Sequence, residues 1–300
     1  MSIIQESSFD IEKYKRVLFD TMKSFMRICE QKNLQYFGSG GTVLGAVRHH
    51  GIIPWDDDID VYMPRKDYNE FIKLKGVINE SGYEICTIDD DRYYLPYAKF
   101  CNTNTTIWER AEFPFIIGVF IDVFPLDECN GKIDEMKSLR NTYGKFVTKY
   151  LFSIRNTSLK EITTLCKEKH YRKAFSFLRK YLINKCIFGP DKYKKKIFEY
   201  EKYFQNLKGD YLLYFFCTYK VEKEIYKKEW FDDYVLLPFE DFQIRVCKGY
   251  KEYLTQLFGD YMTPPKVEMR VSRHFHYYVN LEHRLSLEEV QAIKKQNHNK

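Results

Sequence analysis

The sequence predicts an α/β fold in which a sheet is covered by helices and a separate helical segment is inserted. Helical and strand patterns alternate along the first 128 residues or so, as they do in α/β domains. Residues 131–208 then become strongly basic and poor in glycine. With 44% hydrophobic residues among 300, including 25 Tyr and 24 Phe, the chain can bury a full core, which excludes a wholly disordered protein.

The first half of the chain supplies the alternating elements. Residues 11–31 place apolar side chains at three- and four-residue steps, which predicts a helix. A short strand, a glycine turn, a short helix, a strand and an amphipathic helix are predicted next, at 34–37, 38–41, 42–49, 58–63 and 66–78. Four more strands, rich in β-branched and aromatic residues, are predicted at 83–88, 94–101, 105–109 and 116–123.

The second half begins with the basic segment. Residues 131–208 hold 20 Lys and Arg against 7 Asp and Glu, a net charge of +13 in a chain of net charge +6. Beyond it, short strands and loops are predicted around 230–241, a helix at 250–257 and a helix at 287–294 capped by Ser286. We therefore predict a catalytic core at 1–130, a helical insertion at 131–225, and a C-terminal segment at 226–300 that completes the core and its cleft.

Several protein classes are disfavoured. No run of 18 apolar residues occurs, so no membrane-spanning helix is predicted. The first ten residues are polar and acidic, unlike a signal peptide. Eight scattered cysteines without a C-x-x-C pair favour reduced thiols in a cytosolic protein. The overall charge is too small to indicate nucleic-acid binding by itself.

The most informative segment is acidic. Asp56, Asp57, Asp58 and Asp60 fall within five positions. If this stretch is a strand, Asp58 and Asp60 project from one face and repel each other, because side chains alternate. A hard divalent cation such as Mg²⁺, with Mn²⁺ as an alternative, would relieve that repulsion. A charged loop or a helix-capping cluster would explain the acids too, but would not require the alternating apolar residues.

A glycine turn precedes these acids. The N–H groups of Gly40 and Gly41 can approach an anion because no Cβ intervenes, and Ser39 and Thr42 add hydroxyl groups. Alone, the turn is equally well explained as an ordinary strand-to-helix connection. Beside paired carboxylates it predicts a phosphate-binding cradle next to a metal site, which suits phosphoryl or nucleotidyl transfer.

A third carboxylate is expected from a neighbouring strand. Asp122 is the best candidate, since it is one acid inside the apolar stretch 120–124. A buried carboxylate needs a cationic partner, either a metal ion or a Lys or Arg side chain. Asp127, which lies four residues after Val123, is predicted to be a turn residue.

These residues together resemble the LicD family, which contains phosphocholine transferases and, more distantly, fukutin-type ribitol-phosphate transferases. The matching stretch runs from Gly40 to Asp60, GGTVLGAVRHHGIIPWDDDID. The resemblance continues through Lys99, the segments 121–127, 238–240 and 258–265, and finally Arg270 and His274. Phe258 stands where the family more often has Tyr, and the insertion at 131–225 carries no matching motif.

The resemblance implies a nucleotidyltransferase-like fold, a mixed sheet flanked by helices. It implies that Asp58 and Asp60 are metal ligands and that Asp122 is either a third ligand or the base that activates an acceptor hydroxyl. It also implies Mg²⁺-dependent transfer of an alcohol phosphate, often phosphocholine, from a CDP-linked donor. The expected acceptor is a sugar hydroxyl of a cell-surface glycan, lipid-linked in its precursor form: teichoic acid, lipopolysaccharide or capsule.

Further residues are predicted to support the site. Arg48 either clamps a donor phosphate or pairs with the acidic loop. Lys99 is expected to offset charge on the leaving phosphate. The cleft is expected to include Trp55, Asp57, Arg270 and His274, with Trp55 either stacking on a ring or packing under the loop.

Two other functions and the location of the insertion must also be considered. The same cradle and acids would serve a nucleotidyltransferase that uses an NTP. A nucleic-acid-binding protein using the basic insertion is not expected, since it would leave the acidic cluster unexplained. The insertion could instead lie on an anionic membrane surface or form a solvated helical face. We expect a cytoplasmic protein, or one held at the inner face of the cell membrane.

Overall fold

A computed structural model describes residues 9–78, 82–156, 159–183, 189–272, 274 and 276–298. Its strands are β1 (Phe37–Gly38), β2 (Asp60–Pro64), β3 (Tyr83–Cys86), β4 (Ala98–Asn102), β5 (Thr106–Trp108), β6 (Phe120–Cys129), β7 (Tyr211–Leu213), β8 (Tyr226–Lys227), β9 (Tyr234–Phe239), β10 (Phe242–Cys247) and β11 (Tyr278–Asn280). Its helices are α1 (Ile11–Gln31), α2 (Gly40–His49), α3 (Arg65–Lys73), α4 (Lys75–Ile78), α5 (Ile133–Ile154), α6 (Leu159–Lys167), α7 (Tyr171–Tyr181), α8 (Gly189–Gln205), α9 (Val221–Glu224), α10 (Tyr250–Phe258) and α11 (Leu287–His298).

The main sheet is mixed and curls around β6. Its path runs β1-β2-β6-β4-β3, with β2 parallel to β6 and the other neighbours antiparallel. β6 is long enough to leave this path and pair with β7, which pairs with β8. The register sets Asp60 and Lys99 on either side of Asp122, so three charged residues lie abreast on adjacent strands. The predicted fold class, a mixed sheet flanked by helices, is confirmed.

Helix α1 covers one face of this sheet. Asp10 caps it by accepting hydrogen bonds from the N–H groups of Glu12 and Lys13. Its buried apolar stripe contacts the central strands β4 and β6 and consists of Tyr14, Leu18, Met22, Phe25 and Cys29. Each fully buried large apolar side chain contributes about 1.5–3 kcal/mol. This stripe therefore stabilises the sheet by packing against one of its faces.

The described part of the basic segment is largely helical, as predicted. α5 packs against α8, and their contact buries aromatic and aliphatic side chains that include Tyr143, Val147, Ile197 and Phe204. α6 and α7 lie outside this pair. None of the described helices is both long and apolar enough to cross a membrane.

Several predicted elements have other bounds in the structure, and three differences bear on charged residues or helix continuity. The helix predicted at 66–78 divides at Leu74 into α3 and α4, where Gly76 weakens helix propensity. The strand predicted from Asp58 begins at Asp60, the first residue that pairs with β6. β6 runs to Cys129, so the prediction that Asp127 is a turn residue is wrong. Asp127 is buried in the strand and makes a bidentate ion pair with Arg65, at 2.6 and 2.7 Å.

Candidate active site

Three acids meet where β2 and β6 run side by side. Asp60 opens β2 and lies in register with Asp122 of β6, and Asp58 is two residues upstream. All three line one cavity of about 440 Å³, which we call the aromatic cavity because of the rings described below. The structure therefore brings together the three carboxylates that the sequence analysis selected.

Asp60 is the least compensated of the three, since it forms no ion pair with any described residue. The Oδ1 atom of Asp60 is buried and has no hydrogen-bond partner in the described part of the chain. Burial, together with the charge of Asp122, raises the pKa of Asp60 to about 8. Burial and the neighbouring Asp60 also raise the pKa of Asp58 well above its usual range. An oxygen-rich site under such repulsion fits a hard divalent cation.

Asp122 has a cationic neighbour behind it. The Lys99 Nζ atom lies 2.7 Å from Asp122 Oδ1 and 3.4 Å from Glu109 Oε1, and Lys99 is almost fully buried. Burial would lower the pKa of Lys99, but these two carboxylates raise it. Lys99 does not line the aromatic cavity. The salt bridge considered for Asp122 is thus present, and Lys99 contacts the acid rather than the open cavity.

The glycine turn borders the same cavity. Ser39, Gly40 and Gly41 line it, and Gly40 has a positive φ of 48° that favours glycine. The Gly40 N–H group donates to the hydroxyl of Tyr253 at 2.7 Å, so one predicted phosphate donor already has a partner. The Thr42 hydroxyl accepts from the Asp60 N–H group at 2.8 Å and lies outside the cavity wall. Thr42 therefore positions an acid instead of facing the cavity.

Two glycines of the motif allow a close backbone approach. A Cβ atom at Gly45 would lie 2.4 Å from the carbonyl oxygen of Gly51. One at Gly51 would lie 2.2 Å from Oε1 of Glu240, which accepts a hydrogen bond from the Ile52 N–H group at 2.9 Å. The Glu240 N–H group donates to the His50 carbonyl. The tip of the β9–β10 hairpin thus holds the loop that leads to the acids.

Asp57 turns away from the cavities and anchors the C-terminal segment. The Ser272 hydroxyl donates to it at 2.9 Å, His274 Nδ1 lies at 2.7 Å, and His276 Nε2 lies at 3.5 Å. Burial alone would raise the pKa of Asp57, but the hydrogen bonds from the two histidines hold it well below its usual range. Sequence reasoning missed Ser272 and His276, which carry no local signal.

His274 links Asp57 to the acidic centre. Its Nε2 atom lies 3.2 Å from Asp58 Oδ2. Burial would lower the pKa of His274, but the hydrogen bond to Asp57 and the charge of Asp58 raise it to about 10, so the ring is cationic at neutral pH. Ligand atoms of Asp56, Asp57 and His274 lie within 4.8 Å of one another. A protonated imidazole has no free lone pair for a metal ion, so at neutral pH this group is an ion-pair cluster.

A second cavity of about 460 Å³ adjoins the first. We call it the Trp55 cavity, and it shares Gly41, Asp58, Asp60, Tyr219 and His274 with the aromatic cavity. Its remaining wall includes Arg48, Trp55 and Asp56, but neither Asp57 nor Arg270. The acidic centre thus lies between two adjoining spaces.

Two arginines, one in this wall and one outside it, lie near the ring of Trp55. The Arg48 guanidinium donates to the Tyr261 carbonyl at 2.8 Å and lies 6.0 Å from the Trp55 ring. Within the described ranges Arg48 makes no ion pair with the acidic loop. Arg270 stacks on the same ring at 5.3 Å and donates to the Pro265 carbonyl at 2.9 Å. Trp55 therefore has cations near its ring and one side open to the cavity.

The aromatic cavity has a wall that sequence reasoning did not locate. Phe124 and Tyr214 stack at 4.8 Å, and Tyr97 meets Phe124 edge-on at 4.7 Å. Tyr62 and Phe216 extend this group of rings.

A buried carboxylate completes that wall. Glu224 Oε2 accepts hydrogen bonds from the hydroxyls of Tyr62 at 3.2 Å and Tyr226 at 3.0 Å. Burial raises the pKa of Glu224. Among the described residues Glu224 forms no ion pair. Ring faces beside an acid are suited to an organic cation.

Comparison with known proteins gives this geometry a family context. Residues 33–166 match the model of the LicD/FKTN/FKRP nucleotidyltransferase domain, a range that contains the glycine turn and all three acids. The lipopolysaccharide cholinephosphotransferase LicD of Haemophilus influenzae is 29% identical over 270 residues, which cover 88% of this chain and 96% of that protein.

Shorter similarities connect the chain to two other proteins. The human ribitol 5-phosphate transferase FKRP is 28% identical over 99 residues, which cover 31% of this chain and 20% of the human protein. The uncharacterized protein RT0683 of Rickettsia typhi is 38% identical over 74 residues, covering 25% of this chain and 24% of that one. The similarity to the Haemophilus protein, in contrast, spans most of both chains.

Proposed function

We propose that this chain, a LicD-type phosphotransferase by its matched domain and its relatives, transfers phosphocholine from a CDP-linked donor to a sugar hydroxyl of a cell-surface glycan. The observation that carries the proposal is the set of Asp58, Asp60 and Asp122 beside a ring-lined cavity. The Haemophilus relative supports choline as the alcohol, since its name records a cholinephosphotransferase that acts on lipopolysaccharide.

We assign the cation site to Asp58 and Asp60, with Asp122 as third acid. The orphaned Oδ1 atom of Asp60 supports this assignment, because a buried carboxylate oxygen without a partner is costly. When bound, Mg²⁺ would neutralise charge on the transferred phosphate and on the leaving nucleotide. The carboxylates themselves would fix that position, since Thr42 and the β2–β6 pairing hold them in place.

The choline head would occupy the aromatic cavity. A quaternary ammonium group cannot donate hydrogen bonds and is recognised by ring faces and nearby negative charge. Tyr97, Phe124 and Tyr214 offer the rings, and Glu224 offers the charge. The Trp55 cavity would take the nucleotide, with Arg48 facing its phosphate and Trp55 its base.

The proposed transfer is a single displacement at the phosphorus atom that carries choline. The acceptor hydroxyl oxygen forms a bond to the phosphorus that carries choline, and the bond from that phosphorus to the CMP oxygen breaks. The hydroxyl proton moves to a carboxylate, for which Asp122 is the candidate because it lines the same cavity while Asp58 and Asp60 are assigned to the cation. CMP and the phosphocholine-bearing sugar leave as products.

The direct test is an Asp60→Asn variant assayed for CMP release from CDP-choline with a lipopolysaccharide acceptor and Mg²⁺. We expect the variant to lose about two orders of magnitude or more in rate, because it removes one charge from the cation site. Asp91→Asn, at a highly exposed acid that lines neither cavity, is the matched control and should keep full activity. A folded Asp60→Asn protein with normal turnover would refute the proposal.

The donor is tested separately. In a thermal-shift series with Mg²⁺, CDP-choline should stabilise the protein more than CDP-ribitol, CDP-glycerol or an NTP, because only choline can use the ring wall. Pyrophosphate release from an NTP would instead indicate nucleotidyl transfer. Stronger stabilisation by CDP-ribitol would overturn the choline assignment while leaving phosphotransfer in place.

A further inference from the structure

Helix α7 turns an apolar stripe toward solvent. Tyr171 is 63% exposed, Phe175 69%, Leu178 37% and Leu182, just past the helix end, 46%. At 100° per residue these four side chains fall within an arc of about 60° on one face. Large apolar side chains that are exposed in a helical row indicate a surface that is covered in use.

The opposite face of α7 already has its partner. Ala174 is buried, and Phe177 meets Phe152 of α5 at 6.2 Å, with the Arg155 guanidinium 5.5 Å from the Phe177 ring. The helix therefore docks on α5 without using the outer stripe. The outer stripe therefore does not contribute to packing α7 against α5.

A basic cavity lies beside the stripe. Its volume is about 650 Å³, and it is formed by α5, α7 and residues 215–217. Four cations line it, Arg140, Lys145, Lys149 and Arg179, and no acidic residue does. Arg179 follows Leu178 directly, so the cavity and the stripe meet on one helix. A space lined by cations without carboxylates suits a phosphate group.

We propose that α7 and the basic cavity form a docking surface for an anionic membrane. The interfacial region of a bilayer can take the aromatic and aliphatic stripe, while lipid headgroup phosphates meet the cations. The net charge of +13 over residues 131–208 gives the same sign of attraction over a longer range. A nucleic acid would use the cations but would leave the apolar row exposed to water.

Docking would also bring lipid close to the acidic centre. Phe216 and Cys217 line both the basic cavity and the aromatic cavity. A glycan held on a membrane lipid would thus have a short route to the site, a consequence that rests on the proposed function. Membrane binding itself does not depend on the transfer chemistry.

The stripe is tested by flotation of the full chain with vesicles. Wild type should float with phosphatidylcholine and phosphatidylglycerol mixed at about three to one, and much less with pure phosphatidylcholine. The double variant Phe175→Ser, Leu178→Ser should lower the bound-to-free ratio by about tenfold or more, since two inserted apolar side chains are lost. The matched control, Val77→Ser with Leu236→Ser, changes two apolar residues that are exposed elsewhere and should bind like wild type.

The cavity is tested by Lys145→Gln with Lys149→Gln. This variant should weaken binding to the anionic vesicles several-fold and flatten its dependence on salt. Arg16→Gln with Lys32→Gln removes the same charge from an exposed position in α1 and the residue just after it, and should change little. Circular dichroism should show that all four variants are folded, and Tyr171→Ser gives a second test of the stripe.

Three results would overturn the proposal. The first is a wild-type protein that fails to float or floats equally with neutral vesicles. The second is binding of the stripe and cavity variants that is as tight as that of wild type. The third is an RNA gel shift that depends on the cavity cations, without binding to vesicles. CMP release with a water-soluble acceptor is measured in parallel. Normal release without flotation removes the membrane surface alone, whereas flotation without release removes the proposed function alone.

Discussion

Asp60 is fixed on both sides by the start of α2. Its N–H group donates to the Thr42 hydroxyl at 2.8 Å, and its carbonyl accepts from the Ser39 N–H group at 2.9 Å. The glycine turn and the first strand acid are therefore one unit. The spacing of the motif reflects this unit, because helix start and strand must meet at a single residue.

We expect Thr42→Val to reduce both stability and activity. The substitution keeps the shape of the side chain but leaves the buried Asp60 N–H group without its acceptor, which costs about 1–3 kcal/mol. Displacement of Asp60 should lower the rate of CMP release by about tenfold or more. Thr42→Ser retains the hydroxyl and should preserve most of the rate. Equal rates for the Val and Ser variants would show that this hydrogen bond does not position the acid.

We expect Lys99→Met to be strongly destabilising at neutral pH. It leaves Asp122 and Glu109 without their buried cation, a loss of about 3–5 kcal/mol by the usual cost of breaking a buried pair. Lys66→Met, at an exposed position, is the control.

The pH dependence of that loss has a definite sign. Burial already raises the pKa of Asp122, and removal of Lys99 should raise it further in the folded state. The folded variant then binds more protons than the unfolded chain, so its stability should increase as the pH is lowered. Chemical denaturation at about pH 5 and about pH 8 measures this. A larger deficit at the lower pH would contradict the assigned ion pair.

At the scale of elements, the β9–β10 hairpin acts on the acidic loop through Glu240. The contact joins residues 188 positions apart, Glu240 and Ile52, and depends on the missing side chain of Gly51. Gly45 and Gly51 belong to the family motif, but the sequence alone gave no physical reason for their positions. The reason is a close approach that only the folded chain creates.

We expect Gly51→Ala to destabilise the loop because its Cβ would collide with the Glu240 carboxylate. Glu240→Ala should be harmful alone, since it frees the loop. The double variant should be better than the sum of the two, with a coupling of about 0.5–3 kcal/mol in unfolding free energy. Strictly additive effects in urea denaturation would mean that the hairpin does not hold the loop.

Local pattern predicted helices better than strands. α1, α2 and α10 lie close to their predicted bounds because their apolar periodicity and end residues are local signals. Strand ends depend on partners, so Asp58 fell outside β2 and Asp127 inside β6. The three acids could be selected from sequence, whereas Glu109 and Glu224 could not, since each is brought to the site by other elements.

At the scale of the whole molecule, the C-terminal segment closes over the core at Asp57. Ser272, His274 and His276 all contact this one carboxylate, although they lie more than 200 residues away in sequence. His274 then contributes to both cavities. The site is therefore complete only when the C-terminal segment is folded onto the core.

We expect Mg²⁺ to raise the melting temperature of the wild-type protein by several degrees, and EDTA to reverse the effect. A ligand that binds only the folded state stabilises it by about 2.7 kcal/mol at one hundred times its dissociation constant. The Asp60→Asn variant should show little of this shift, whereas Asp91→Asn should show all of it. An equal shift in both variants would place the cation away from the three acids.

The three acids come from one part of the chain, whereas the ring wall is assembled from two. Asp58, Asp60 and Asp122 lie within the matched range 33–166. Tyr62, Tyr97 and Phe124 lie within it too, but Tyr214, Phe216 and Glu224 lie beyond it. Under the proposed function, the part of the wall beyond residue 166 can diverge during evolution and change which alcohol is selected, while the portion that performs the chemistry is inherited intact. Relatives that share only the matched range can then transfer different alcohol phosphates.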